Sequence, residues 1–239
     1  MSEALVLCYH ALSEDWPAAL STTPARFAAQ VRLLERRGYR GVTFSELVAG
    51  GEGKRVAITF DDAYHSVGRL AKPLLDGVGF PATVFVPSDF PGSDQPVAWD
   101  GVDHWIGGPH EKELIPHSWG ELGALADEGW EIGSHTRSHP HLTTLDDERL
   151  DAELQGSKQR CEGELDRPCL SIAYPYGDFD SRVSAAAARA GYRAGATLSL
   201  HAARPLEWPR VGVYSIDAGW RYRLKVSPAL RRLRSSRSG

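Results

Sequence analysis

The chain has 239 residues, 42% of them hydrophobic and 24% charged, which suits one globular domain with a continuous core. A formal net charge of −4 and a pI near 6.1 give no general attraction to phosphate backbones or anionic lipid, so a nucleic-acid partner is not expected. The start, MSEALVLCYH, carries the acidic Glu3 and only a short apolar run, too little for a secretory signal or a spanning helix. No integral membrane segment and a cytoplasmic location are therefore the expectations.

In chain order, short β-branched runs alternate with longer stretches of helical periodicity, the pattern of βα units. Strands are expected at residues 5–9, 41–44, 55–60, 82–86, 130–133, 170–174, 194–198 and 210–214. Between the first two, Thr23 and Pro24 supply a capping hydroxyl and a first-turn proline. Phe27, Val31, Leu33 and Leu34 then form an apolar stripe that ends at Gly38. Similar stripes run over residues 67–75, 122–125, 145–165 and 183–190. Residues 87–119, rich in Pro, Gly, Asp, His and Trp, have no clear period; so long an excursion is expected to face the substrate. Cys8, Cys161 and Cys169 are odd in number and lack paired spacing, so they read as core or incidental thiols. Arg231, Arg232, Arg234 and Arg237 make a basic tail, a frayed run or a contact for an anionic surface. Seven or eight strands, each followed by a helix or long loop, point to a distorted (β/α) barrel, with an open doubly wound sheet as the rival. The barrel domain is expected over residues 1–220, with a C-terminal helix and basic tail over 221–239.

Three segments carry chemistry. The strand Arg55-Val56-Ala57-Ile58-Thr59-Phe60 runs directly into Asp61-Asp62, where a barrel places catalytic groups. Adjacent carboxylates repel unless a cation or hydrogen bonds compensate, although an isolated pair is more often a helix cap beside a solvated acid. The second segment follows Trp130-Glu131-Ile132 and contains His135 and His139. On a helical turn this spacing sets two imidazoles on one face, although such a pair alone is more often surface or capping. With a carboxylate it makes a ligand set that leaves positions open for water and substrate. The third, Ala173-Tyr174-Pro175-Tyr176-Gly177, is either a tight aromatic loop or a turn that presents an amide to a developing oxyanion.

Taken together, Thr59-Phe60-Asp61-Asp62 resembles the first motif of the polysaccharide deacetylases (NodB homology domain, carbohydrate esterase family four). His135-Thr136-Arg137-Ser138-His139 resembles their second motif and Ala173-Tyr174-Pro175-Tyr176 their third. The likeness extends from about Tyr9-His10 to the strand at Ala194. It implies that Asp62, His135 and His139 ligate a divalent metal, that Asp61 is the general base, and that the Tyr176 amide helps bind the oxyanion. The chain departs from the pattern twice. Where many members carry an arginine that pairs with the catalytic aspartate, this chain has Ala173, and Arg210 is the candidate replacement, against an ordinary exposed arginine. The late Leu-x-His that supplies the general acid is missing; the last histidine, His201, comes too early. The remaining candidates are His10, which resembles the Tyr-His of one branch of the family and is otherwise a core or capping histidine, and Asp61 acting as base and then acid.

The expected activity is hydrolysis of an N-acetyl group on an acetylated glycan: an oligosaccharide, a polysaccharide or a lipid-linked precursor. Zn2+ is the expected ion, and Co2+, Mn2+, Ni2+ or Fe2+ suit the same ligands. Two rivals remain: a related hydrolase acting on a cyclic amide or an O-acetyl ester, and an inactive carbohydrate-binding relative with Trp99, Trp105, Trp119 and Trp130 as stacking faces.

Overall fold

The computed structural model describes residues 3–198 and 203–228; His201 and the basic tail lie outside them. Six parallel strands, β1 (Glu3–Tyr9), β2 (Lys54–Phe60), β3 (Thr83–Val86), β4 (Glu131–Ser134), β5 (Ser171–Ala173) and β6 (Ala194–Thr197), lie side by side in the order β6-β5-β4-β3-β2-β1. A seventh, β7, consists of Trp208–Pro209 and Val211–Gly212. Its first half pairs with β6 and its second with β1, so one extended segment joins the two edges and closes the barrel. The expected barrel is therefore the observed architecture, and the open sheet is not.

Alternation along each strand sorts side chains between two cores. Leu5, Leu7 and Tyr9 of β1 and Val56, Ile58 and Phe60 of β2 point outward, into a layer shared with Phe27, Val31 and Leu34 of α1 (Pro24–Arg36). Val6, Ala57, Phe85, Ala173, Ala194 and Ala196 point into the barrel. Small residues on β5 and β6 leave room there, and Phe44 and Leu47 of α2 (Phe44–Val48) fill it. Phe44 meets the Phe85 ring edge to face, centroids 5.6 Å apart.

This corrects one expected strand. Only Arg40–Gly41 pairs with β2, and residues 44–48 are helical. Thr43 and Glu46 form a reciprocal capping box, so two otherwise orphaned amides are satisfied and the helix begins where the β-branched run suggested extension.

The remaining helices, α3 (Lys72–Asp76), α4 (Trp119–Asp127), α5 (Asp147–Leu165), α6 (Ser181–Arg189) and α7 (Trp220–Lys225), follow the expected connections. Residues 67–71 make a wider π turn before α3, and the Gly68 N–H is diverted to Nε2 of His117 at 3.1 Å. The long excursion holds two 3-10 turns, Asp103–Trp105 and Glu111–Leu114, and a single antiparallel bridge from Pro116 to Tyr64. It is nevertheless anchored, because Val97, Trp99, Val102 and Leu114 pack with Trp16 and Tyr64 in a satellite core. Of the four tryptophans considered as sugar platforms, Trp130 lies in the main core stacked on Phe60 and Trp99 is buried against His139; neither offers a free face. Among the described residues no helix is long and apolar enough to cross a membrane.

Candidate active site

The polar groups collect at the C-terminal ends of the strands. Asp61 continues the inward lane of β2 after Ala57 and Thr59, and its N–H still pairs with the Tyr9 carbonyl at 3.0 Å. Asp62 then takes a left-handed conformation, φ +69°, which turns its side chain to the same mouth. His135 directly follows β4. Two residues earlier, a Cβ on Gly133 would stand 2.7 Å from the Phe85 ring and 2.5 Å from Ser171 Oγ, so glycine is required for β4 to lie this close to its neighbours.

The His135/His139 segment is not the helical turn expected from its spacing. Residues 135–141 form a loop in which Thr136 and His139 have φ of +66° and +64°. The Thr136 Oγ1 accepts the His139 N–H at 3.1 Å and brings the second imidazole back beneath the first. Five of the six non-glycine residues with positive φ among the described residues, Asp62, Ala63, Thr136, His139 and Tyr176, surround this mouth; Asp166 caps α5. Local strain concentrated at one place marks a site whose geometry the rest of the fold maintains.

Three clusters of His, Cys, Asp or Glu have donor atoms within 4.8 Å of one another, and their chemistry separates them. In the first, His135 Nε2 and His139 Nε2 stand 3.5 and 3.4 Å from Asp62 Oδ1. Those separations are too long for strong hydrogen bonds and close to the ~3.3 Å between neighbouring ligands of a tetrahedral zinc ion. His135 Nδ1 lies 2.8 Å from the Ala173 carbonyl. A carbonyl only accepts, so the proton is on Nδ1 and the Nε2 lone pair is free. Burial pulls the His135 pKa down to about 4, against the opposing pull of Asp61, so the ring is neutral as a ligand must be. Asp62 Oδ1 is buried without a hydrogen-bond partner. Burial alone would raise its carboxyl, yet His139 and the neighbouring histidines hold it below the ordinary range. An orphaned carboxylate oxygen facing the His135 Nε2 lone pair and the His139 Nε2 fits a divalent cation.

The second cluster is Cys8, His10 and Asp61, and a cation already serves it. Arg210, fully buried, donates from Nη1 to Asp61 Oδ1 at 2.6 Å and from Nη2 to Oδ2 at 2.7 Å. Nη1 also reaches Thr59 Oγ1 at 3.0 Å. Burial would raise the Asp61 carboxyl, but the Arg210 guanidinium, helped by His135, holds it well below the usual carboxylate range. Arg210 thus reaches the aspartate from β7, its guanidinium 5.4 Å from the Phe85 ring centroid. His10, half-buried at the end of β1, keeps its Nδ1 buried without a partner.

The third cluster, His65, His117 and Glu121, is a structural network. His117 Nε2 accepts the Gly68 N–H, so Nδ1 carries the proton and has no lone pair for a metal. Glu121 completes the capping box of α4 and also pairs with His65 at 2.9 Å.

Tyr176 sits in a turn held by Gly177 N–H to Tyr174 O and Asp178 N–H to Pro175 O, neither of which uses its own amide. Its ring is 38% exposed, meets His139 edge to face and stacks on His141 with centroids 4.0 Å apart. It is the exposed aromatic surface at the mouth. Sequence reasoning missed two contacts. Trp99, considered only as a sugar-stacking face, stacks instead on His139 with centroids 4.1 Å apart, a contact made by the aperiodic excursion. Cys8, read as a core thiol, is buried but places Sγ 3.3 Å from Asp61 Oδ2; its signal was its position two residues before His10, on the same face of β1.

The sequence model of the polysaccharide deacetylases matches residues 49–195. YxkH of Bacillus subtilis (strain 168), named provisionally as a polysaccharide deacetylase, is 27% identical over 231 residues, covering 94% of this chain and 72% of that protein. The chitooligosaccharide deacetylase of Rhizobium leguminosarum bv. trifolii is 27% identical over 187 residues, 77% of this chain and 72% of that one. Among solved structures, the Streptococcus pyogenes deacetylase PplD in complex with acetate superposes with a TM-score of 0.78 at 21% identity, covering 95% of this chain and 99% of that one. IcaB from Ammonifex degensii superposes at 0.77 with 24% identity, covering 97% and 98%. At such identities the superpositions establish a shared fold.

Proposed function

The chain belongs to the polysaccharide deacetylase family, and from that premise we propose that it is a metal-dependent hydrolase removing the N-acetyl group from an N-acetylated sugar in an oligosaccharide, a polysaccharide or a lipid-linked precursor. The observation that carries this reading is the convergence of Asp62, His135 and His139 beside an Asp61 clamped by Arg210. A divalent cation held by Asp62, His135 and His139 supplies Lewis acidity that polarises the acetamide carbonyl and acidifies water. Two imidazoles and a carboxylate suit zinc first, with cobalt, manganese, nickel and iron as chemically competent substitutes.

The residues do the rest. Asp61, kept ionised by Arg210, takes a proton from the water that attacks the acetyl carbon. The Tyr176 amide donates to the oxygen that becomes negative, an effect worth about 3 kcal/mol for one such donor. His10 gives a proton to the departing nitrogen, so acetate and a free amine leave together. The exposed face of Tyr176 forms one wall for the sugar.

The test is acetate release from an N-acetylglucosamine oligomer series, with and without a chelator, alongside elemental analysis of protein purified without added metal. About one divalent ion per chain and chelator-sensitive acetate release are expected. Turnover that survives complete metal removal would sink the proposal.

A further inference from the structure

Asp61 is a carboxylate with two oxygens and about four lone-pair sites, and the structure distributes partners among them unequally. Oδ1 receives Arg210 Nη1 at 2.6 Å and no other hydrogen bond among the described residues. Oδ2 receives Arg210 Nη2 at 2.7 Å and also faces the Cys8 thiol at 3.3 Å. The sulfur's other acceptor within reach, the Tyr9 carbonyl, is at the longer distance of 3.9 Å and is uncharged. A sulfur so near a carboxylate oxygen has to present its proton, because a thiolate there would set two anions side by side. Arg210 alone would leave the two oxygens equivalent; Cys8 removes that symmetry.

We propose that Cys8 is a positioning residue: its S–H occupies the second lone pair of Asp61 Oδ2, so that Oδ1 alone retains an open lone pair and is the oxygen that takes the proton from water. The proposal deepens the base role given to Asp61 above and rests on it. Nothing in the geometry brings Cys8 to the reacting atoms, and its side chain is fully buried, so its effect passes through the aspartate. The backbone places it there deliberately: Cys8 pairs in register with Thr59 on β2 and with Gly212 on β7, the strands that carry Asp61 and Arg210.

The test joins spectroscopy to kinetics on the full-length protein. The S–H stretching band of Cys8, isolated by infrared difference between the unaltered protein and Cys8→Ala, should be the lowest in frequency of the three thiols, because only Cys8 donates to a charged oxygen. It should move to higher frequency in Asp61→Asn. With the N-acetylglucosamine pentamer as substrate, Cys8→Ala should lower kcat about tenfold at unchanged KM. Cys8→Ser, which keeps a donor, should restore kcat to within about twofold. A Cys8 band that neither lies lowest nor moves in Asp61→Asn, or a Cys8→Ala enzyme with full kcat, overturns the proposal. Failure of the unaltered protein to release acetate would count against the N-deacetylase reading on that sugar, while the infrared band still decides the thiol–carboxylate contact without turnover.

Discussion

Two clusters in this protein contain the same side chains, two histidines and one carboxylate, and they have opposite fates. At Asp62, His135 and His139 the carboxylate oxygen lacks a partner and the His135 Nε2 lone pair is released by a bond from Nδ1–H to a carbonyl. At His65, His117 and Glu121 the carboxylate accepts from Ser118 N, Ser118 Oγ and His65, and His117 spends its lone pair on the Gly68 amide. Both buried imidazoles, His135 and His117, are pushed down to about 4 by burial, so protonation does not distinguish the two places. The partner of the other ring nitrogen does. Residue types within reach of each other make a candidate, and the hydrogen bonds already spent decide whether an ion has anything left to bind.

The sharpest way to break this comparison is His135→Ala, which should remove metal and acetate release together, a loss beyond the 10–100-fold that outer partners typically cost. Stoichiometric metal in that variant, measured by elemental analysis, would refute ligation. Next in size, Asp61→Asn should keep its metal while kcat falls by about 10²- to 10⁴-fold; equal activity would remove Asp61 from the chemistry. Replacing the fully buried Arg210 by Met strands a buried carboxylate, an effect of about 3–5 kcal/mol, read as a fall in Tm of roughly 10 °C.

That last deficit should also depend on pH. The Asp61 carboxyl is depressed by Arg210 in the folded protein, so its stabilisation is present above the unfolded carboxylate pKa and is lost only as pH falls through the lower folded value. Without Arg210, burial instead raises that pKa, and protonation relieves the stranded charge. Melting curves in chelator should therefore show the difference between Arg210→Met and the unaltered protein shrinking on acidification from about pH 7 to pH 5; a constant gap would deny the coupling. Smallest of all, His65→Ala should leave metal content and kcat unchanged and alter stability by less than about 1 kcal/mol, since the His65–Glu121 pair is about half exposed. Loss of a metal equivalent there would erase the distinction between the clusters.

How far the site was legible follows from the kind of signal each residue carries. Asp61 and Asp62 were readable because a short β-branched strand runs straight into them, and His135 because it follows an apolar strand. The conformation of the His135–His139 loop was not. A spacing of four suits a helix, but Thr136 and His139 take left-handed backbone, with the Thr136 hydroxyl accepting the His139 N–H and Trp99 packed on the His139 ring, and the Trp99 contact comes from 40 residues away along the chain. Arg210 was only one of two readings, because nothing nearby in sequence says which carboxylate lies across the barrel.

By itself the sequence determined the alternation of strands and helices and the motifs at three strand ends, and it favoured a barrel over an open sheet, since these arise from periodicity and short-range chemistry. Tertiary structure alone decided that segment 208–212 closes the barrel, that Arg210 rather than residue 173 neutralises Asp61, and that Cys8 touches the same carboxylate. The physical reason is distance along the chain. Arg210 lies 149 residues from Asp61 and Cys8 lies 53 from it, and only strand pairing, set by the packing of the whole barrel, brings such groups within a hydrogen bond of each other.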